Sequence, residues 1–325
     1  MGVDTSFQEA LVSVIIPTYN RPLYLKKAIE SAVRQTYRNI EIIVSDNCSP
    51  ENPQAIVEDF QDSRIRFWRN TTNLGMFTNV MNAFKKARGK YVASLNDDDI
   101  WNEDFLEKLV PHLEANPDLA LAFCDHYIID SEGTIDYPTT EKCTRFWKRE
   151  QLKEGVYQPF WEIGVVNGAV ATGVAAVIRK DVIQWDDIPP DVGAMWDLYV
   201  TYLCCRSGHG AYYYPERLTL YREHAQADTM LSGRRDFQAK IRKAKAEIFC
   251  YKHFMEDEQL QEFKPYFRQK WLHANTTLGI GLLRAKQVAE ARPYLLRVLS
   301  HQKFNLRTIA ALILSFTPQP LAARF

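Results

Sequence analysis

The stretch that decides the fold reads Tyr91-Val92-Ala93-Ser94-Leu95-Asn96-Asp97-Asp98-Asp99-Ile100-Trp101. Its first five residues are apolar and partly β-branched, which predicts a buried strand. Three carboxylates follow, and the carboxyl ends of strands are where open α/β sheets bind ligands. Carboxylates this close repel one another, so the pattern predicts a compensating Mg²⁺ or Mn²⁺ ion, because both prefer oxygen ligands. The alternative is a solvated acidic turn before a helix that begins near Asn102.

Strands and helices alternate through the residues before this stretch. Short β-branched runs predict strands, and segments with apolar residues at helical spacing follow each of them. Such alternation over about 100 residues predicts an α/β fold with a single, mostly parallel, Rossmann-like sheet covered by helices on both faces. The predicted strands are Val12–Ile16, Ile40–Asn47, Ile65–Trp68 and Tyr91–Leu95; the predicted helices are Leu25–Val33, Pro50–Phe60 and Met76–Arg88.

Further along, the pattern is less regular. An amphipathic helix is predicted for Leu106–Asn116, and strands are predicted for Leu119–Ile129 and Gly168–Ile178. The segment from Thr134 to Gly164 is polar and aromatic without clean periodicity, so no element is predicted there.

Composition indicates a globular protein. The 325 residues are 46% hydrophobic and 12% aromatic, enough for one large or two modest domains. No apolar run approaches the roughly 20 residues that span a bilayer, and the first residues lack the cationic and apolar parts of a signal peptide. The six cysteines form no Cys-x-x-Cys pair. We therefore expect a cytoplasmic protein with reduced thiols.

Charge divides the chain although the formal net charge is zero. Residues 232–325 contain 17 Lys and Arg against 7 Asp and Glu, whereas the first 231 residues contain 23 against 33. We predict one domain at 1–231, which holds the acidic cluster and which the resemblance described below implies is catalytic, and a basic helical accessory region at 232–325. Its last helix, Asn305–Phe316, has an apolar stripe, which favours packing on the core; peripheral contact with the inner face of a membrane is the alternative.

Four motifs in order resemble the family 2 glycosyltransferases. They are Val14-Ile15-Ile16-Pro17-Thr18-Tyr19-Asn20-Arg21, Val44-Ser45-Asp46-Asn47, Asn73-Leu74-Gly75 and Asn96-Asp97-Asp98-Asp99. Downstream, Trp196-Asp197 and Leu220-Tyr221-Arg222-Glu223-His224 extend the resemblance to about residue 225. The resemblance implies the A-type glycosyltransferase fold and inverting transfer of a sugar from a nucleotide diphosphate donor.

The resemblance also implies roles for individual residues. Asp98 would hold Mn²⁺ or Mg²⁺, with His224 as a second ligand, and Asp97 or Asp99 would supply the charge lost where Asn96 replaces the family's first aspartate. Asp197 would be the general base, unless a shifted register places Met195 there. Arg222 would brace the acidic cluster or touch a phosphate. The nucleotide-sugar-binding residues would be Pro17, Thr18, Tyr19, Asn20, Arg21, Asp46, Asn47, Asn73, Gly75, Asn79, Asn96 and Asp97.

The implied function is a metal-dependent glycosyltransferase that adds a sugar to a glycan or lipid-linked glycan in surface polysaccharide synthesis. UDP-sugar is the favoured donor by analogy with the family. Two alternatives remain open at this point. One is a non-catalytic glycan-assembly subunit with the same fold, and the other is a sugar-1-phosphate nucleotidyltransferase. Nucleic acid is not an expected partner, because no basic stripe with interleaved aromatic residues is present.

Overall fold

The computed structural model describes residues 9–225 and 236–316. These residues divide into two compact units. The first unit contains the chain up to Ile188 together with Val200–Arg222, and the second contains Pro189–Tyr199 and the chain from Glu223. The boundary predicted at residue 231 lies outside the described residues.

Within the first unit, the nine strands described form one mixed sheet. Their order is β3-β2-β1-β4-β8-β6-β9-β5, and β7 also pairs with β9. β1 is parallel to β2 and β4, and β2 is parallel to β3. The strands are β1 (Val12–Thr18), β2 (Ile40–Asp46), β3 (Ile65–Arg69), β4 (Tyr91–Ser94), β5 (Ile100–Trp101), β6 (Leu119–Ile129), β7 (Gly155–Tyr157), β8 (Ala176–Arg179) and β9 (Gly210–Arg222).

Successive residues of the central strands are buried on both faces of the sheet, as with Val14 and Ile15. This explains why those strands read as continuous apolar runs and not as alternating patterns. The helices that follow them bury apolar stripes, such as Leu25 and Ile29. The helices of this part of the chain are α1 (Pro22–Val33), α2 (Gln54–Glu58), α3 (Met76–Lys86), α4 (Phe105–Ala115), α5 (Tyr137–Phe146) and α6 (Trp196–Arg206), whose first residues belong to the second unit. The predicted α/β fold with a mostly parallel central sheet is confirmed.

Two predicted elements are shorter in the structure. The helix predicted from Pro50 begins only at Gln54, because the residues before it form a turn in which the Asn52 side chain accepts a hydrogen bond from the Gln54 amide. The strand predicted from Gly168 begins at Ala176. The Ala171 carbonyl accepts hydrogen bonds from the amides of two residues that follow it, at 174 and 175, so this segment forms a turn before the strand.

One helix was missed. α5 begins after Asp136, whose carboxylate accepts a hydrogen bond from the Thr139 amide. The buried residues of this helix are Thr140 and Thr144, so its inward face is polar and gives no apolar stripe at helical spacing.

The second unit is helical. Helix α7 (Phe237–Glu256) packs against the segment Pro189–Tyr199. The ring centroids of Tyr199 and Phe254 lie 6.2 Å apart. Leu278, Leu282, Ala291 and Leu295 belong to the apolar core of the helices that follow. The helices are α7 (Phe237–Glu256), α8 (Lys264–Arg284), α9 (Val288–His301) and α10 (Leu306–Leu314). In the part of the chain that is described, no helix combines the length and apolar character needed to cross a bilayer.

Candidate active site

The carboxyl ends of β1, β2 and β4 meet at one edge of the sheet because these strands are parallel. Thr18 ends β1 and Asp46 ends β2, and the two residues are partners in the strand register. The loop after β4 carries the predicted acidic cluster, Asp97, Asp98 and Asp99. The fold therefore brings together three segments that are far apart in the chain.

Asp97 is held by the loop that follows β1. Its Oδ2 accepts hydrogen bonds from Thr18 Oγ1 at 2.7 Å and from the Tyr19 amide at 3.3 Å. Arg21 Nη1 lies 3.0 Å from Asp97 Oδ1 and 2.7 Å from Asp98 Oδ2. One guanidinium therefore bridges two of the three carboxylates, and it is itself partly exposed.

Asp99 is fixed from the other side. Its Oδ1 accepts from the Arg222 amide at 2.9 Å and its Oδ2 from Asn96 Nδ2 at 2.9 Å. Arg222 Nε also donates to the Asp98 carbonyl at 2.7 Å. Of the two roles expected for Arg222, bracing the acidic cluster is the one that these contacts support. Asn96, the amide in place of a carboxylate, serves as a donor to Asp99.

Burial and the excess negative charge of the cluster raise the pKa of two of its carboxyl groups. Burial, and next the charge of Asp98, raise the pKa of Asp97 to about 6, against the lowering effect of Arg21. The same two causes raise the pKa of Asp99 well above its usual range. A further cation near Asp98 would be attracted to this cluster.

The side chains of the cluster limit how a divalent ion could be held. Within residues 9–225 and 236–316, no group of three His, Cys, Asp or Glu side chains is arranged to hold a metal ion. Mg²⁺ at phosphate-transfer sites is commonly held by one or two carboxylates together with substrate phosphates. Asp98 is the most exposed of the three aspartates of the cluster and fits that mode.

Asp46 has intramolecular partners. Arg69 Nη1 lies 2.6 Å from its Oδ2, and Ser49 Oγ donates to its Oδ1 at 2.5 Å. Arg69 also donates to the Ser49 carbonyl at 2.7 Å. Neither Arg69 nor Ser49 was among the predicted site residues. Arg69 directly follows the predicted strand Ile65–Trp68, so its place at the carboxyl edge was predictable, whereas its pairing with Asp46 depends on the strand register.

Amide side chains form a second layer beside Asp46. Asn47 Nδ2 donates to Asn73 Oδ1 at 2.9 Å, and Asn73 Oδ1 also accepts from the Gly75 amide. Asn79 bonds both the hydroxyl and the carbonyl of Ser45, each at 2.8 Å. These predicted residues are therefore adjacent, and their contacts stabilise the loop between β3 and α3.

The remaining loop residues lie at the same edge. Pro17 is within β1, opposite Ser45, and Tyr19 is exposed. Asn20 adopts a positive φ of 56°, and its amide donates to Ser49 Oγ at 2.8 Å. Thr18, Asn20, Arg21 and Ser49 line a small recess.

Asp197 and His224 belong to the second unit, so their predicted roles beside Asp98 stay predictions. Asp197 lies in the first turn of α6 with its side chain exposed, and its Oδ1 accepts from the Leu198 amide at 2.8 Å. The residue as a whole is exposed, yet protein atoms crowd around its carboxyl group, and this desolvation raises the pKa of Asp197; the hydrogen bond from the Leu198 amide and the charge of Lys243 oppose that rise. His224 is buried.

Comparison with protein families gives a match for residues 13–184 to the family described as "Glycosyl transferase family 2". An uncharacterised glycosyltransferase of Methanocaldococcus jannaschii is 43% identical over 129 residues, which is 38% of this chain and 44% of the relative. The Escherichia coli UDP-Glc:alpha-D-GlcNAc-diphosphoundecaprenol beta-1,3-glucosyltransferase WfgD is 33% identical over 125 residues, 38% of this chain and 49% of that protein. The matched region thus spans about half the length of these two relatives or less.

Solved structures share the fold. Staphylococcus aureus TarS 1–349 in complex with UDP-GlcNAc matches with a TM-score of 0.58 at 16% identity, covering 94% of this chain and 90% of that one. The mannosyltransferase PcManGT of Pyrobaculum calidifontis, in complex with GDP-Man and Mn²⁺, matches with a TM-score of 0.56 at 18% identity, covering 98% and 87%.

Proposed function

The chain belongs to glycosyl transferase family 2, and from that premise we propose that it is a glycosyltransferase that uses a UDP-sugar and a metal ion to glycosylate a hydroxyl of a glycan acceptor. The observation that carries the proposal is the buried Asp97 and the more exposed Asp98, bridged by Arg21 at the carboxyl edge of the sheet. TarS with UDP-GlcNAc and the E. coli WfgD enzyme support the choice of UDP and of surface polysaccharide synthesis. A lipid-linked acceptor would place the enzyme at the inner face of the membrane.

Asp98 would hold Mn²⁺ or Mg²⁺, which neutralises charge on the departing nucleoside diphosphate. The chain's own residues position this carboxylate. Arg222 Nε fixes the Asp98 carbonyl and Arg21 Nη1 fixes its Oδ2. Arg21 is partly exposed, so its guanidinium could also donate to a phosphate oxygen. His224 is proposed as a further ligand on the family resemblance.

The nucleotide would lie over the ends of β1 and β2. Thr18, Asn20 and Arg21 line the recess there, and the Asn47 amide, part of the network of Asn47, Asn73, Gly75 and Asn79, donates to the Thr18 carbonyl at 2.9 Å. Asp46 is fully buried, and it accepts from the Ser49 amide with both oxygens, from Ser49 Oγ and from Arg69. A carboxylate has about four acceptor positions, so in this proposal a nucleobase N–H would replace one of those bonds.

Asp197 is proposed as the general base that takes the proton from the acceptor hydroxyl. Its raised pKa supports the proposal, because a base works best when its pKa approaches the working pH. Its place in the first turn of α6 leaves its side chain exposed to an acceptor.

Measuring sugar transfer by the Asp197→Asn variant tests whether Asp197 is the general base. We expect sugar transfer to fall about 10²–10⁴-fold while the Kd for UDP-sugar with Mn²⁺ stays within about two-fold, because only proton removal is lost. Asp191→Asn, an exposed aspartate of the same unit, is the matched control and should keep full activity. Equal transfer rates for wild type and Asp197→Asn would exclude Asp197 as the base.

Calorimetric titration with UDP-GlcNAc and GDP-Man, each with and without Mn²⁺, tests the donor and the metal. We expect Mn²⁺-dependent binding of the UDP-sugar and loss of the Mn²⁺ effect in Asp98→Asn. Asp118→Asn, at an exposed position of the same unit, should bind as wild type does. Tight donor binding that is the same with and without Mn²⁺, and the same in wild type and Asp98→Asn, would contradict the proposed metal site.

A further inference from the structure

The last helix of the second unit presents several of its apolar side chains outward. Its buried positions, Thr308, Ala311 and Ser315, are all small or polar, and Leu312 packs half-buried against the apolar core. The Thr308 hydroxyl lies 2.7 Å from that of Thr276 on α8. In contrast, Leu306 is 78% exposed and Ile313 is 61% exposed.

The spacing of the exposed residues makes them one surface. Leu306, Ala310 and Ile313 are separated by four and three positions, so they lie on one face of α10. Phe304 just before the helix is 89% exposed, and Phe316 just after it is 69% exposed. We call these five residues the α10 apolar face. In the usual amphipathic helix the apolar stripe faces the core, whereas α10 also has apolar residues on its exposed face.

A further exposed apolar residue, Leu296 on α9, lies near this face. Arg292 on α9 donates to the Ser315 carbonyl at 2.7 Å, and its guanidinium lies 4.1 Å from the ring centroid of Phe316. Leu296, one helical turn after Arg292, is 53% exposed.

Positive charge surrounds the same face. From residue 286 to residue 316 the chain has five Lys and Arg residues and one acidic residue, Glu290. Lys303 and Arg307, which flank Phe304 and Leu306, are both exposed. Apolar and cationic side chains on and beside one helix match an anionic bilayer surface. The apolar side chains enter the acyl boundary, and the cationic side chains stay at the headgroups.

A polar recess opens next to the helix start. Its volume is about 240 Å³, and His273, Gln302, Asn305 and Arg307 are among its lining residues. Burial, and then the charges of Arg307 and Lys270, lower the pKa of His273. Arg307 lines the recess, and its guanidinium suits the phosphate of a lipid headgroup.

We propose that the α10 apolar face, with Lys303, Arg307 and this recess, docks the second unit onto the surface of an anionic phospholipid bilayer. The helix would lie in the interface and would not cross the membrane. This inference does not depend on the donor or on the chemistry proposed above. It concerns only where the chain binds.

Flotation of the full chain with lipid vesicles tests the docking surface. We expect binding to phosphatidylcholine vesicles that contain 30% phosphatidylglycerol, and at least about ten-fold weaker partitioning to pure phosphatidylcholine at low salt. Raising NaCl to about 0.5 M should weaken the binding, because salt screens the cationic contribution. The double variant Leu306→Asp/Ile313→Asp should lower partitioning at least about ten-fold, since it removes apolar burial and adds repulsion.

The matched control is Tyr137→Asp, an exposed aromatic residue of the first unit, which should bind vesicles as wild type does. Unchanged far-ultraviolet circular dichroism and Tm in the double variant would show that folding is intact, as expected for substitutions at exposed positions. Arg307→Gln should weaken binding to the anionic vesicles more than to the neutral ones.

Three outcomes would overturn the proposal. The first is equal vesicle partitioning by wild type and the double variant. The second is equal partitioning by wild type to anionic and neutral vesicles. The third is a concentration-dependent dimer, seen by light scattering, that the double variant abolishes while wild type fails to bind vesicles; the α10 apolar face would then be an interface between two copies of the chain.

Discussion

At the scale of single residues, a buried ionic cluster is centred on β6. Asp125 on β6 contacts Arg149, accepts from Thr144 Oγ1 at 2.6 Å and lies 3.3 Å from Arg217 Nε. The next residue, His126, is also buried and lies with its Nδ1 3.3 Å from Arg149 Nη1. Burial, and then the charge of Arg149, lower the pKa of His126 to about 3. The neutral imidazole is therefore part of the folded state.

This histidine predicts a pH dependence of stability. The unfolded chain protonates His126 near pH 6.5, whereas the folded chain does not until about pH 3, so protons favour unfolding between these values. From pH 6.5 to pH 5 the free energy of unfolding should fall by roughly 2 kcal/mol from this group alone. Urea denaturation at both pH values measures the fall, which should be smaller in His126→Gln. His301→Gln, at an exposed histidine, should retain the wild-type fall, and an identical fall in all three proteins would contradict the assignment.

At the scale of elements, the segment between α5 and β8 depends on one backbone conformation. Gly168 has φ of +66°, and a Cβ placed on it would lie 2.7 Å from the ring of Trp147. Gly208, after α6, has φ of +79° with no atom within 4 Å of such a Cβ. The two glycines share the left-handed conformation and differ in the space around them.

The pair separates backbone strain from steric overlap. Gly208→Ala should lower the free energy of unfolding by about 1–2 kcal/mol, the cost of a left-handed alanine. Gly168→Ala should lower it by roughly a further 1–3 kcal/mol, because Trp147 has to move. Chemical denaturation gives both values, and tryptophan fluorescence should change for Gly168→Ala alone. Equal losses of unfolding free energy in the two variants would mean that the Trp147 ring moves aside at no energetic cost.

At the scale of the whole molecule, the two units carry different surfaces. The first unit has the acidic cluster at the sheet edge, and the second has the basic, apolar surface of α9 and α10. A ligand stabilises the region that it binds. Donor binding should therefore be detectable separately from events in the second unit.

Amide hydrogen exchange measures the effect of donor binding on each unit separately. UDP with Mn²⁺ should slow amide exchange around residues 17–21, 46–49 and 96–99, with exchange in α9 unchanged. EDTA should remove most of the protection if a divalent ion links the nucleotide to Asp98. Uniform protection of both units, or protection that EDTA leaves intact, would contradict the proposed site.

The sequence by itself determined the alternation of strands and helices, the position of the acidic cluster after β4 and the helical nature of the C-terminal part. These are local properties, because burial on both faces makes a strand apolar throughout and β-branched runs stand next to helical spacing. The partners of Asp97, the pairing of Asp46 with Arg69 and the outward apolar face of α10 were decided by tertiary structure. Their physical reason is shared: each depends on which side chains the fold brings together from distant positions, and periodicity shows that a helix has two faces but not which one finds the core.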